Sequence, residues 1–173
     1  MTTYTAIANS EVDGDSPITD TLMSRLRDNA IAMGEADPSV PSNLLPIGFL
    51  GTITTTSGSS QSLSGLTLTN YKFLLFVWNA VSQNATGGTF GIGAATACMN
   101  VLSASAANGI SGLAWVELST GIVVSASTEV ASGIGSGGTI KVGATGYSTA
   151  TTSVAVNTSG TFDAGSVRVY GLK

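Results

Sequence analysis

Residues 71–81, YKFLLFVWNAV, are apolar on both alternations of an extended chain. A strand of that kind belongs in the middle of a sheet with both faces covered, because at an exposed edge it would template aggregation. Its purely apolar part, Phe73 to Trp78, is the longest such run in the chain. That is far short of the ~20 residues that a membrane-spanning helix needs. The segment therefore demands a sheet, and no membrane insertion is expected.

The surrounding sequence supplies one. From Ile47 onward, short runs rich in Val, Ile, Thr and aromatics alternate with Gly, Ser and Asn, the pattern of an all-β domain. Strands are expected near 47–55, 62–68, 71–81, 88–95, 97–103, 112–118, 121–127, 138–144, 151–157 and 166–172. The fold class is mainly β: a jelly-roll-like antiparallel β-sandwich over residues 47–173, preceded by an extended arm and one amphipathic α-helix. GIGSGG, from Gly133 to Gly138, reads as a flexible loop. It satisfies G-x-G-x-x-G formally, but the strand-like TIKVG follows it where a dinucleotide fingerprint needs a helix N-terminus.

The first 46 residues differ in character. Residues 1–16 read as an extended polar arm. Ser16-Pro17 is a favoured helix opening, Ser as N-cap and Pro in the first turn, with Asp15 and Asp20 where the helix dipole favours negative charge. Ile18, Leu22 and Leu26, with Met23, Ala30 and Met33 beside them, form one apolar stripe, and Gly34 is the natural C-cap. A helix over 17–33 follows. Residues 37–46, DPSVPSNLLP, hold Pro38, Pro41 and Pro46 and read as a stiff linker. Residues 1–36 thus form a helical N-terminal arm, whose partner is either the chain's own β domain or another subunit. An isolated helix of this length is marginal in water and needs a partner surface. Ile18, Leu22 and Leu26, with the cations Arg25 and Arg27, are the candidate docking residues.

Charge narrows the function classes. Only 9% of residues are charged, with a mean hydropathy of +0.36, where a soluble domain usually carries ~25%. Such a surface is covered by neutral hydroxyls and amides, or by other subunits. The net charge of −4 divides into −5 on residues 1–46 and +1 on residues 47–173. Neither part offers a basic patch for phosphates, so no nucleic-acid partner is expected.

Catalytic chemistry finds little to work with. The chain has no His and a single cysteine, Cys98, which removes the usual base, the commonest metal ligand and any intrachain disulfide. Cys98, in TACMN, reads as a small buried hydrophobe. Asp13, Asp15 and Asp20 crowd together, but Ile18 and Ser24 stand where a calcium loop requires Gly and Glu, and helix capping explains the acids better. A carboxylate pair would have to come from the scattered Glu117, Glu129 and Asp163. No enzyme, metal or cofactor is expected. Trp78 and Trp115 read as core residues. Trp115 and Tyr147 are the residues left for stacking against a sugar.

One resemblance spans most of the chain. YTAIANSEVDGDSPITDTLMSRLRDNAIAMGE, with Tyr4, Ile7, Ser16-Pro17, Leu22, Leu26-Arg27-Asp28-Asn29 and the proline spacer, resembles the N-terminal segment of tailed-bacteriophage virion proteins. LTLTNYKFLLFVWNAV and the terminal GSVRVYGLK are similar to small β-sandwich domains of phage fibres and head decorations. The resemblance implies a virion structural protein made in the host cytoplasm, often a homotrimer. Its arm would attach to capsid or tail and its β domain would face outward. The missing shaft implies a short fibre or decoration protein. A carbohydrate-binding adhesin reading a host surface glycan is the alternative.

Overall fold

The computed structural model describes residues 3–12, 17–34, 40–41, 47–84, 88–101, 109–131 and 134–173. The chain divides into two compact units, Met1–Gly48 and Phe49–Lys173. Pro38 and Pro46 of the expected linker, Ser16 of the expected N-cap, and Asp13 and Asp15 lie outside the described residues.

The first unit holds a 3-10 turn, Asn9–Glu11, and one helix, α1 (Asp20–Gly34). The helix starts three residues later than the sequence suggested. Its cap is Thr19, whose Oγ1 accepts a hydrogen bond from Leu22 N at 3.1 Å and satisfies one of the first-turn donors. It runs through Gly34 rather than stopping before it. The expected stripe is also divided. Leu22, Asn29 and Ala32 are buried, whereas Ile18, Met23, Leu26, Ile31 and Met33 are exposed. The reason is the arm, which engages the other side of the helix. Thr5 N donates to Asn29 Oδ1 and Asn29 Nδ2 donates to Thr5 O, both at 2.8 Å. Arg25 pairs with Glu11. Positions 22, 25, 29 and 32, spaced at helical repeat, thus form the occupied side.

The second unit is a two-sheet β-sandwich, mainly β as expected. Its strands are β1 (Ile47–Thr54), β2 (Ser60–Ser64), β3 (Phe73–Gln83), β4 (Gly88–Ile92), β5 (Ala95–Val101), β6 (Gly109–Glu117), β7 (Ile122–Ala131), β8 (Ile134–Ala144), β9 (Ser153–Thr158) and β10 (Phe162–Leu172). One sheet has the order β1-β10-β3-β6-β7-β8 and the other β2-β9-β4-β5. Each segment expected to be a strand overlaps one, although 65–68 of the expected 62–68 lie beyond the end of β2.

The core lies between the sheets. Leu74, Phe76 and Trp78 of β3, Ala114 and Val116 of β6, Val123 of β7 and Val167 and Val169 of β10 face Phe90, Ile92, Cys98, Val154 and Val156 of the smaller sheet. Trp78 meets Phe90 edge-on at 5.9 Å, and Phe90 stacks on Phe162 at 5.9 Å. Each such buried aliphatic or aromatic side chain contributes about 1.5–3 kcal/mol. The alternation in β3 breaks between Trp78 and Val81, where Ala80 takes a φ of 49°. Opposite it, β10 bulges at Gly165, whose φ of 95° and approach to the Ala80 carbonyl leave no room for a side chain. The extra residue resets the parity, so Val81 and Gln83 turn inward beyond it.

Two expectations fail here. Residues 134–138 are not a loop: they pair along β7, with Glu129 opposite Ser136 and Val130 opposite Gly135. The ladder is made by backbone groups, which glycine retains, and Gly133 itself lies outside the described residues. β3 is central, between β10 and β6, but it is fully covered on one face only. Phe73 keeps 38% exposure, and Leu75 and Val77 are half-buried.

Candidate functional site

The exposed side of β3 is part of a larger surface. Strand alternation sets Tyr170 (β10), Leu75 (β3), Trp115 (β6), Val124 (β7) and Val142 (β8) in one registered row across five strands. The next row is Arg168, Val77, Leu113, Ala126 and Ile140. At the other end, Leu172 and Phe73 precede Glu117, and Ile122 pairs with Ala144. Phe49 of β1 adds a ring against Tyr170, with centroids 5.4 Å apart.

Among the described residues this outer face is apolar and exposed. Trp115 is 42% exposed, Ile140 77% and Val142 71%. Trp115 is therefore not a core residue, unlike Trp78, which is. The parity explains the difference: Ala114 and Val116 occupy the inward positions of β6, and Trp115 between them must point out. Soluble monomers rarely expose contiguous apolar patches beyond a few hundred Å². Sequence reading missed this face as a unit, although its signal was present. Leu113-Ala114-Trp115-Val116 and Ile122-Val123-Val124 are apolar on both alternations, as β3 is.

The expected glycan platform does not assemble from its two residues. Trp115 lies on the outer face, while Tyr147 packs against the core from the loop after β8. The Tyr147 hydroxyl donates to Ala155 O at 3.0 Å and accepts from Ala155 N at 2.6 Å. Burial raises its pKa, the hydrogen bond at Ala155 opposing and the nearby Cys98 adding to the rise. That hydroxyl is committed to fastening the loop onto β9.

The candidate docking residues of the first unit divide likewise. Leu22 is buried and Arg25 is held by Glu11, whereas Ile18 (79% exposed) and Leu26 are open. Arg27 is exposed and donates from Nε to Asp28 Oδ1 at 2.8 Å.

Among titratable groups, Glu117 sits at the end of β6 beside an open depression of about 540 Å³ that Lys72, Phe73, Ser119 and Ser148 also line. Thr120 Oγ1 donates to Glu117 Oε2 at 2.8 Å and Ser119 Oγ to Oε1 at 2.9 Å. These bonds, Thr120 first, hold the carboxyl below its ordinary range, which suits an ionised anchor and not a proton donor. Asp163 accepts from Ser82 Oγ. Cys98 is buried, its Sγ donating to Ala95 O at 3.3 Å, and burial pushes the thiol's pKa up against the opposing backbone hydrogen bond at Ile92. A thiol kept protonated is a poor nucleophile. Among the described residues no group of three or more Cys, Asp or Glu converges as a metal site, and no helix is long and apolar enough to cross a membrane.

No protein-family model, no curated protein and no solved structure matches the chain.

Proposed function

We propose that the chain is a structural subunit of a virion, a short fibre or decoration protein of the tailed-phage type. It is anchored by its N-terminal unit, displays its β-sandwich and assembles as a homotrimer. The observation that carries the structural part of this reading is the apolar outer face of the six-stranded sheet, joined to a surface with little charge. A free monomer has no use for such a face, and a building block does. The exposed Ile18, just before α1, and Met23, Leu26 and Met33 within it give the first unit an apolar side of its own for a receiving surface. The virion assignment itself rests on the resemblance of residues 4–35 and of the β domain to phage proteins.

Removing residues 1–36 tests the anchoring role. Particle attachment is expected to be lost while the β unit, which has its own core, keeps its β-type circular dichroism and its melting transition. Full attachment of the truncated chain contradicts the role. The adhesin reading draws on one observation, the exposure of Trp115. A glycan array on the full chain distinguishes it, since silence across host surface sugars leaves Trp115 to assembly.

A further inference from the structure

We infer that the outer face of the six-stranded sheet is covered by further copies of this same chain. The inference deepens the proposed structural role, on which it rests, by naming the partner of that face.

Size is the first argument. Five strands about 4.8 Å apart and three residue rows about 6.7 Å apart give a planar footprint of about 500 Å² on each copy. Two copies meeting through it remove at least about 1,000 Å², the lower bound for a specific interface, and side-chain relief adds to that. A single helix is too narrow to cover five strands, so a partner of comparable breadth is required.

Charge is the second. Among the described residues, the charged side chains within the registered rows are Arg168 on β10 and Glu117 on β6. They have opposite sign and lie in the two outermost of the three rows, on the strands that flank β3. Copies of such a face can meet without like charges opposed, a condition that a face of single sign fails. The same neutrality disfavours a nucleic acid or an anionic membrane, which would select a cluster of cations. The aliphatic rows offer few donors or acceptors to a sugar.

Shape is the third. Rings project from one half of the face, Phe49, Tyr170 and Phe73, while the other half presents the flatter Ile122, Val124, Ile140 and Val142. Set face to face, the ringed half of one copy meets the flatter half of the other, and the whole footprint of both is used.

The test uses the full chain. Sedimentation equilibrium is expected to give a closed oligomer, and acrylamide is expected to reach neither Trp78 nor Trp115. Val142→Lys and, separately, Ile140→Lys place an ammonium on the open face and are expected to weaken association at least tenfold. In both variants Trp115 becomes open to quenching, while the circular dichroism stays that of the parent. Ser62→Lys, on the exposed side of β2 in the smaller sheet, is expected to leave the mass unchanged. A chain that is monomeric at tens of micromolar overturns the inference, whether or not it captures a different protein. So does an oligomer that survives both lysine variants, or one in which Trp115 stays open to quencher. Those failures leave the anchoring role standing, because that role is read from particle attachment of the 1–36 truncation.

Discussion

On the inner face of β3, Leu74, Phe76 and Trp78 are buried to 2% exposure or less, whereas Phe73, one position along the same strand, keeps 38%. The two faces of this sheet are built from the same residue types. One meets Phe90, Val154 and Val156 of the smaller sheet, and the other keeps Phe73, Trp115, Ile140 and Val142 exposed. The contrast separates two uses of hydrophobicity. The inner face supplies the folding free energy of a single copy, and in the proposed assembly the outer face serves association. A β-sandwich with charged residues on its outer positions would fold equally well, so the outer residues answer to a different requirement.

Substitutions matched across the sheet sharpen the contrast. Phe76→Ala on the inner face is expected to cost about 3–5 kcal/mol in urea unfolding, because a closed core cannot collapse onto the void. Val142→Thr on the outer face is expected to change the stability of the dilute monomer by no more than about 0.5 kcal/mol. A cost for Val142→Thr equal to that of Phe76→Ala would erase the distinction.

A smaller effect is expected where β3 turns inward beyond its bulge. Gln83 Oε1 accepts from Thr158 Oγ1 and from Gly160 N, the latter at 3.1 Å, and so ties β3 to the end of β9. Thr158→Val keeps the shape and removes a donor inside the sandwich. It is expected to cost about 1–3 kcal/mol in the same unfolding measurement. No change would mean that the inner face needs no polar fastening there.

The smallest effect concerns the rim of the outer face. The hydrogen bonds from Thr120 and Ser119 depress the folded-state pKa of Glu117. The stabilisation they give is therefore present above the ordinary carboxylate range and is lost as pH falls through the depressed value. Because the carboxylate is exposed, solvent screening keeps the effect on overall stability slight. The NMR titration midpoint of Glu117 is expected below the ordinary range, and replacing Ser119 and Thr120 by alanine is expected to raise it.

The sequence made the strands legible because their periodicity and turn residues are local. All ten strand segments, the central place of β3 and the burial of Trp78 and Cys98 follow from such patterns. The failures have non-local causes. Which side of α1 is occupied depends on Thr5 and Glu11 reaching back to Asn29 and Arg25, a contact no helical pattern within residues 17–33 reveals. GIGSGG looked too flexible for a strand, yet an edge ladder needs only backbone groups. The apolar neighbours of Trp115 point to the core, and only the parity of β6 shows that those neighbours take the inward positions. The outer face was the feature least visible, since its rows join residues far apart in the chain, from Phe73 to Tyr170. Their adjacency is a product of strand order.

The central claim is that this outer face is covered in the working assembly, and the two tryptophans report on it directly. Trp78 is buried in each copy, and Trp115 is accessible only when the face is bare. The decisive measurement is acrylamide quenching of the full chain over a dilution series. The account predicts shielded fluorescence at high concentration and a second, accessible population that appears as the chain is diluted into monomers. An accessible Trp115 at every concentration, with no change on dilution, would contradict it.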